Sequence, residues 1–229
     1  MARNDSTLVP SQRLRIAYLL ALVGGYLDAY TYVLRGGVFA NAQTGNIIKL
    51  GIAFCNGARD TYLLFLLPIT FFAAGIFCAK LIDDALTSRR LRLVRRAVLA
   101  VEMLGLAIVG LIPLGEGADT FANCIVSFVA ALQYEAFTTF RGEAIVTTMT
   151  TGNLRKFLDA LYDGTMRHDP ERLRSAAVFF VVIFIFALGA YLGTAGCNLL
   201  GRAAVVPPIA CLGLAIAIIT ILHKRPARR

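Results

Sequence analysis

Long apolar blocks alternate along this chain with short polar connections. Six blocks stand out, at about 16–34, 62–81, 97–114, 121–140, 175–200 and 203–222. The second, fifth and sixth are free of charge over 61–79, 175–201 and 203–222, whereas the other three each hold one acid, Asp28, Glu102 and Glu135. About 20 helical residues cross the ~30 Å hydrocarbon layer of a bilayer. No water reaches that layer, so each backbone amide must bond within the protein. The pattern therefore predicts an all-α integral membrane protein with six transmembrane helices. The first block follows Arg13 and Arg15 as a signal peptide would, but it is too long and five further blocks follow it, so a retained span is the better reading.

The basic residues fall between the blocks and set orientation. With six crossings, nineteen Lys and Arg lie on one side and four on the other. The positive-inside rule then puts both termini in the cytoplasm. The chain is 58% hydrophobic and 16% charged, against about a quarter charged in soluble domains. A net charge of +9 and a pI near 9.7 would raise nucleic acid as a partner. Basic residues confined to the loops of an apolar chain argue against it. The five cysteines are scattered without a CxxC, and His168 and His223 sit at segment ends, so no metal or other cofactor is expected. In the long connection before the fifth block, Asp169-Pro170-Glu171 reads as a helix N-cap, a first-turn proline and a dipole-matched acid.

The chain also repeats itself. An ungapped shift of 107 residues places Tyr26–Gly57 over Gln133–Gly164, with 8 of 32 positions identical. Thr44-Gly45-Asn46 and Lys49 fall on Thr151-Gly152-Asn153 and Lys156, and Asp28 falls on Glu135. A shift of 114 then puts Gly75 over Gly189. This implies two halves within one membrane domain, about 14–114 and 120–223. Three crossings per half is an odd number, so the second half enters the membrane upside down. Inverted repeats are a common transporter plan, with the site near mid-membrane where the halves meet. Each Thr-Gly-Asn segment is expected to form a short or re-entrant helix after the first span of its half.

Acids within apolar blocks are the candidate chemistry, because an ionised carboxylate at mid-membrane is costly. Asp28 and Glu135, at matched positions, read as a pair that binds protons or cations, as structural ion pairs with Lys49, Lys156, Arg35 or Arg141, or as carboxylic acids kept neutral by burial. Glu102, six residues past Arg96, reads as reaching the interface. In the Thr-Gly-Asn-x-x-Lys motifs, glycine permits a break and Thr and Asn can cap freed amides. The helix end so formed offers positive potential to an anion, with Lys49 and Lys156 adding charge; the plainer reading is that Asn46 and Asn153 only cap helices lying along the interface. Gly189 and Gly193 form a GxxxG, which together with Gly75 reads as close helix packing. None of the HExxH, GxSxG, Walker or GxGxxG motifs occurs, so an enzyme is not expected.

Gly25-Tyr-Leu-Asp-Ala-Tyr-Thr-Tyr32, Gln43-Thr-Gly-Asn46 and the second Thr151-Gly-Asn153 resemble the YoaK family of bacterial multi-span inner-membrane proteins. That resemblance implies the fold and an inner-membrane location, and supplies no substrate or catalytic residue. The reading these features support is a small-solute or ion transporter, with proton coupling as one use of its acids. Its path would be formed by Asp28, Glu135, Gln43, Thr44, Gly45, Asn46, Lys49, Thr151, Gly152, Asn153 and Lys156. The alternatives are a non-transporting membrane partner or sensor, whose acids only hold the bundle together, and, with least support, an intramembrane enzyme. The expected partners are the lipid bilayer and an unidentified small solute or ion; a homo-oligomer is compatible with the sequence.

Overall fold

A computed structural model describes residues 10–85, 91–140 and 143–221. Arg3, Arg89, Arg90, Arg141, the end of the second repeat (222–223) and the basic tail lie outside them. The described chain is helical: α1 Pro10–Leu34, α2 Gln43–Cys55, α3 Tyr62–Ala85, α4 Leu91–Leu111, α5 Glu116–Ala136, α6 Thr151–Met166, α7 Pro170–Leu200 and α8 Val206–Ile221. Short 3₁₀ turns at Arg59–Thr61 and Gly201–Val205 join α2 to α3 and α7 to α8. Among the described residues there is no strand, only an isolated antiparallel bridge between Phe140 and Glu143. Asp169 caps α7 through its side chain, accepting from the amides of Glu171 at 2.9 Å and Arg172 at 3.3 Å.

Three helical segments are long and apolar enough to cross a membrane: Leu14–Leu34, Tyr62–Ala85 and the continuous run Pro170–Ile221. The sequence reading expects six. The block on α5 falls short because that helix turns polar residues inward, and the block on α4 because Arg95 and Arg96 at its start join Glu102. On α5, Asp119, Asn123, Ser127 and Gln133 are all buried, and on α4 so is Glu102. These side chains lower the apolarity of a helix whose polar face meets protein. The spans also differ in depth. In α1, 67% of the apolar window is buried, against 11% in α3, so α1 is central and α3 presents its apolar surface outward.

Packing follows a regular scheme. α1 runs along α7, and α5 along α3; α2 lies on α3, and α6 on α7; α4 meets α5, α8 meets α1, and α4 touches α8. Exchanging α1–α4 for α5–α8 leaves this set of pairs unchanged. Small residues make the two principal contacts possible. A Cβ at Gly189 on α7 would collide with the Leu22 carbonyl oxygen of α1, and one at Gly193 would stand 2.6 Å from the Tyr26 carbonyl oxygen. On the α3–α5 side, a Cβ at Gly75 would stand 2.6 Å from the Phe128 carbonyl oxygen. Backbones this close gain dispersion contact that bulkier residues would prevent.

One end of the bundle is locked by Arg35, a side chain with no exposure. Its guanidinium donates to the carbonyls of Val109, Ile112 and Pro113 at 3.0, 3.0 and 2.8 Å, and to Asp119 Oδ1 at 2.9 Å. It also donates to the Tyr30 hydroxyl. The last carbonyls of a helix have no partner within it, and here the charge at the end of α1 supplies partners at the end of α4. The Asn123 amide donates back to the Arg35 carbonyl at 2.7 Å. Arg35 is therefore no counter-ion for Asp28 or Glu135; its carboxylate partner is Asp119, which the sequence reading leaves in a loop.

Two stability predictions follow from this packing. Gly189→Val should cost about 1–3 kcal/mol or more from overpacking, seen as a lower melting temperature in detergent, while Gly51→Val, with no atom within 4 Å of its new Cβ, should melt like the parent. Arg35→Gln removes one partner of a buried ion pair and should cost about 3–5 kcal/mol; unchanged melting would remove the lock.

Candidate functional site

The two Thr-Gly-Asn segments build matching pieces of structure. Gly36 and Gly37, at φ of 78° and 73°, turn the chain out of α1 in a conformation that other residues rarely adopt. The chain then runs through 38–42 into α2. At 1.5 Å per residue, the 13 residues of α2 span about 20 Å, less than a bilayer core. Asn46, in the first turn of α2, reaches back seven residues: its Oδ1 accepts from the Phe39 amide at 2.9 Å and its Nδ2 donates to the Phe39 carbonyl at 2.7 Å. Asn153, in the first turn of α6, treats Val146 the same way, at 3.1 and 2.5 Å. Lys49 Nζ donates to the Gly37 carbonyl and Lys156 Nζ to the Ala144 carbonyl, each twelve residues back.

This geometry gives the conserved spacing within the chain a physical meaning. An amide side chain carries both a donor and an acceptor, so one Asn satisfies both backbone groups of one loop residue. The lysine, one turn on, ties down the start of the same loop. Asn46 and Asn153 have no exposure, and neither they nor the lysines line the large cleft described below. These four residues, assigned to the path from the sequence, hold the loops instead. Gln43 joins them, donating to the Ala40 carbonyl at 2.9 Å and accepting from Asn46. Gly45 leaves room for the Phe39 ring, which a Cβ would meet at 2.7 Å.

Between the two loops lies a cleft of about 660 Å³. Its walls include Asp28 of α1, Thr44 at the start of α2, Thr151 and Gly152 at the start of α6, and Phe186 and Thr194 of α7. Of the residues expected to form a path, Asp28, Thr44, Thr151 and Gly152 are brought together here. Neither α2 nor α6 has a side-chain cap on its first amides, so both helices turn a positive end toward the cleft. The rest of the wall is largely apolar and aromatic, with Tyr32, Phe39 and Tyr134 beside Phe186.

The matched acids part company. Asp28 is 6% exposed. Its Oδ1 accepts from the Asn41 amide at 2.7 Å, and the amides of Ala42 and Ala40 stand close by. Among the described residues, no basic side chain is within ion-pair distance of it. Glu135 instead pairs with Lys80 at 3.1 Å, with the lysine side chain 60% exposed, and is absent from the cleft wall. The two acids therefore have different partners and do not share the cleft wall. Repetition in sequence preserved the position but not the surroundings, because Lys80 has come to stand over one acid only. Glu102 also departs from its reading. It is 1% exposed, and with the Gln133 amide turned to donate, that nitrogen lies 2.9 and 3.3 Å from the two carboxylate oxygens. The other end of the amide faces Thr147 Oγ1 at 3.5 Å. A residue one or two turns past an arginine reaches the interface only if its face points outward, and this face points inward.

Residues 16–219 match a family described as "Protein of unknown function (DUF1275)". The chain belongs to that family. No curated protein and no solved structure matches it. Within this DUF1275 chain, the residues that sequence reasoning passed over are Asn41 and Thr148. They occupy equivalent places under the 107-residue shift, are each 1% exposed, and lie in the two loops that close on α1. Polar residues beside a Thr-Gly-Asn motif were the available signal, but burial of a loop residue is not written in local pattern.

The clamps can be opened one at a time. Asn46→Ala strands both backbone groups of Phe39 and should cost about 1–3 kcal/mol locally, raising hydrogen exchange across 36–42 by about 5- to 150-fold while leaving 143–150 protected. Asn153→Ala should do the reverse. Exchange rising equally in both loops would show that the clamps are not local.

Proposed function

We propose that this DUF1275 chain is a small-solute or ion transporter whose path runs through the cleft between its two loops, with Asp28 as the coupling carboxylate. One observation carries the reading: helix starts from both halves without side-chain caps share one cleft with an acid that has no basic partner among the described residues. In transporters built from inverted repeats, broken helices meet at mid-membrane in this way, their positive ends toward anionic groups and their polar groups toward the coupling cation. The exchangeable helix pairing supports two halves of three crossings each, the second inverted. The nineteen-to-four split of basic residues supports cytoplasmic termini. The likeness of the Asp28 and Gln43–Asn46 segments to the YoaK family supports the bacterial inner membrane. A cation, whether a proton or a metal ion, would neutralise Asp28 in one state and leave it in another, and the energy difference between those states is what couples solute to gradient.

A second reading, a membrane partner or sensor without transport, draws on the clamps and on the Glu135–Lys80 pair, all of which serve structure alone. Reconstitution separates the two. Uptake of a solute panel by proteoliposomes, under imposed proton and sodium gradients, should show accumulation by the parent chain. Asp28→Asn should reduce it about 10-fold or more, the scale of losing an interaction worth ~1.4 kcal/mol or more, while Glu135→Gln should leave it intact. Full accumulation by Asp28→Asn would overturn the role of Asp28, and no accumulation of any solute by the parent would favour the second reading.

A further inference from the structure

The two loops, one from each half, close on a single turn of α1. From the first, Asn41 donates its amide to the Gly24 carbonyl at 3.0 Å and its backbone N–H to Asp28 at 2.7 Å. From the second, Thr147 and Thr148 lie so near Gly24 that a Cβ there would stand 2.6 Å from the Thr147 carbonyl oxygen and 3.2 Å from Thr148 Cα. The second loop thus requires a glycine at position 24, and the first bonds to the carbonyl of that same residue. Two buried oxygens at this crossing, Asn41 Oδ1 and Thr148 Oγ1, have no hydrogen-bond partner. Buried polar atoms are nearly always paired, and an orphan points to a group that completes it. Here there are two, at positions matched by the 107-residue shift, beside the turn of α1 that carries Asp28, which has no basic partner among the described residues.

The inventory identifies the missing group. Every free ligand is an oxygen: carboxylate, amide carbonyl and hydroxyl, with the carbonyls of Gly24 and Thr147 close by. Hard cations take such oxygens. A single carboxylate balances a single positive charge, whereas a divalent ion would leave one charge buried without a partner. Nothing in the set suits a soft metal, and among the described residues no cluster of three His, Cys, Asp or Glu side chains is present. We infer that Asp28, Asn41 and Thr148 bind one dehydrated alkali-metal cation at the point where the two loops cross α1. The inference rests on the transport reading for its purpose: Ala42 and Met149, each next in sequence to an orphan, line the cleft, so an ion joining the loops fixes the cleft wall and couples ion occupancy to solute.

Equilibrium binding tests this without any transport. Purified full-length chain in detergent is melted in NaCl, LiCl, KCl or choline chloride at one ionic strength and pH, and ²²Na⁺ binding is measured in parallel. One alkali ion should raise the melting temperature in a saturable way and choline should not, as mass action on the folded state requires. Thr148→Val, nearly isosteric, and Asn41→Leu should each weaken that ion about 10-fold or more, comparable with perturbing a metal ligand set. Melting in choline chloride shows independently whether each variant is folded. Equal melting in all four salts with no bound ²²Na⁺ would mean that water alone fills the crossing and would overturn the inference, as would undiminished ion binding in both folded variants. Ion binding that persists while no gradient drives any solute would defeat the transport reading and leave the site. Proton-driven uptake indifferent to every alkali ion would do the opposite.

Discussion

Backbone that leaves a helix inside a low-dielectric layer must find its hydrogen bonds within the protein, and this constraint shapes the rest of the molecule. The chain breaks twice, after α1 and after α5, and each break is held by an asparagine reaching back to one loop residue and a lysine reaching back to the loop's start. With the loops fixed in that way, two short helices can begin in the interior and turn their first amides toward a common space. Remove the clamp and the amides of Phe39 and Val146 lose the side-chain partner that pairs them. The cleft, the exposed helix starts and the position of Asp28 all depend on that one solution to an unpaired backbone.

Close approach of helices is the second requirement, and it is met by glycine. Gly25 on α1, and Gly189 and Gly193 on α7, leave no room for a methyl group between the two backbones. The contact buries α1 at the centre of the bundle, which is why an acid on α1 becomes a buried acid, while Glu135 on α5 remains near the surface beside Lys80. Arg35 then ties the end of α1 to the ends of α4 and α5. Packing and electrostatics are thus linked: the glycines set the depth, and the depth sets what a carboxylate at position 28 must contend with.

Much of this was legible in the chain. The apolar blocks marked the long helices to within a few residues, and Asp169-Pro170-Glu171 marked the start of α7. The Thr-Gly-Asn motifs marked two short helices. Their side-chain roles were harder to read, since Asn, Lys and Gln can face a solute or a carbonyl with equal chemistry, and only the fold decides. The ion pairs were not legible at all: Arg35 meets Asp119 across 84 residues and Lys80 meets Glu135 across 55. Contacts of that range depend on which helices lie side by side, and local pattern carries no record of it. Glu102 shows the same limit, since its burial against Gln133 depends on the rotation of α4 about its own axis.

Under the 114-residue correspondence, Lys80 stands where the other half has Thr194. The lysine pairs with the acid of its own side, whereas Thr194 and Asp28 line one cleft and among the described residues no basic side chain pairs with Asp28. A helix pairing that survives the exchange of its halves is in this way lopsided in charge: one acid has its counter-ion covalently on the chain, and for the other the proposed alkali ion would supply it from solution.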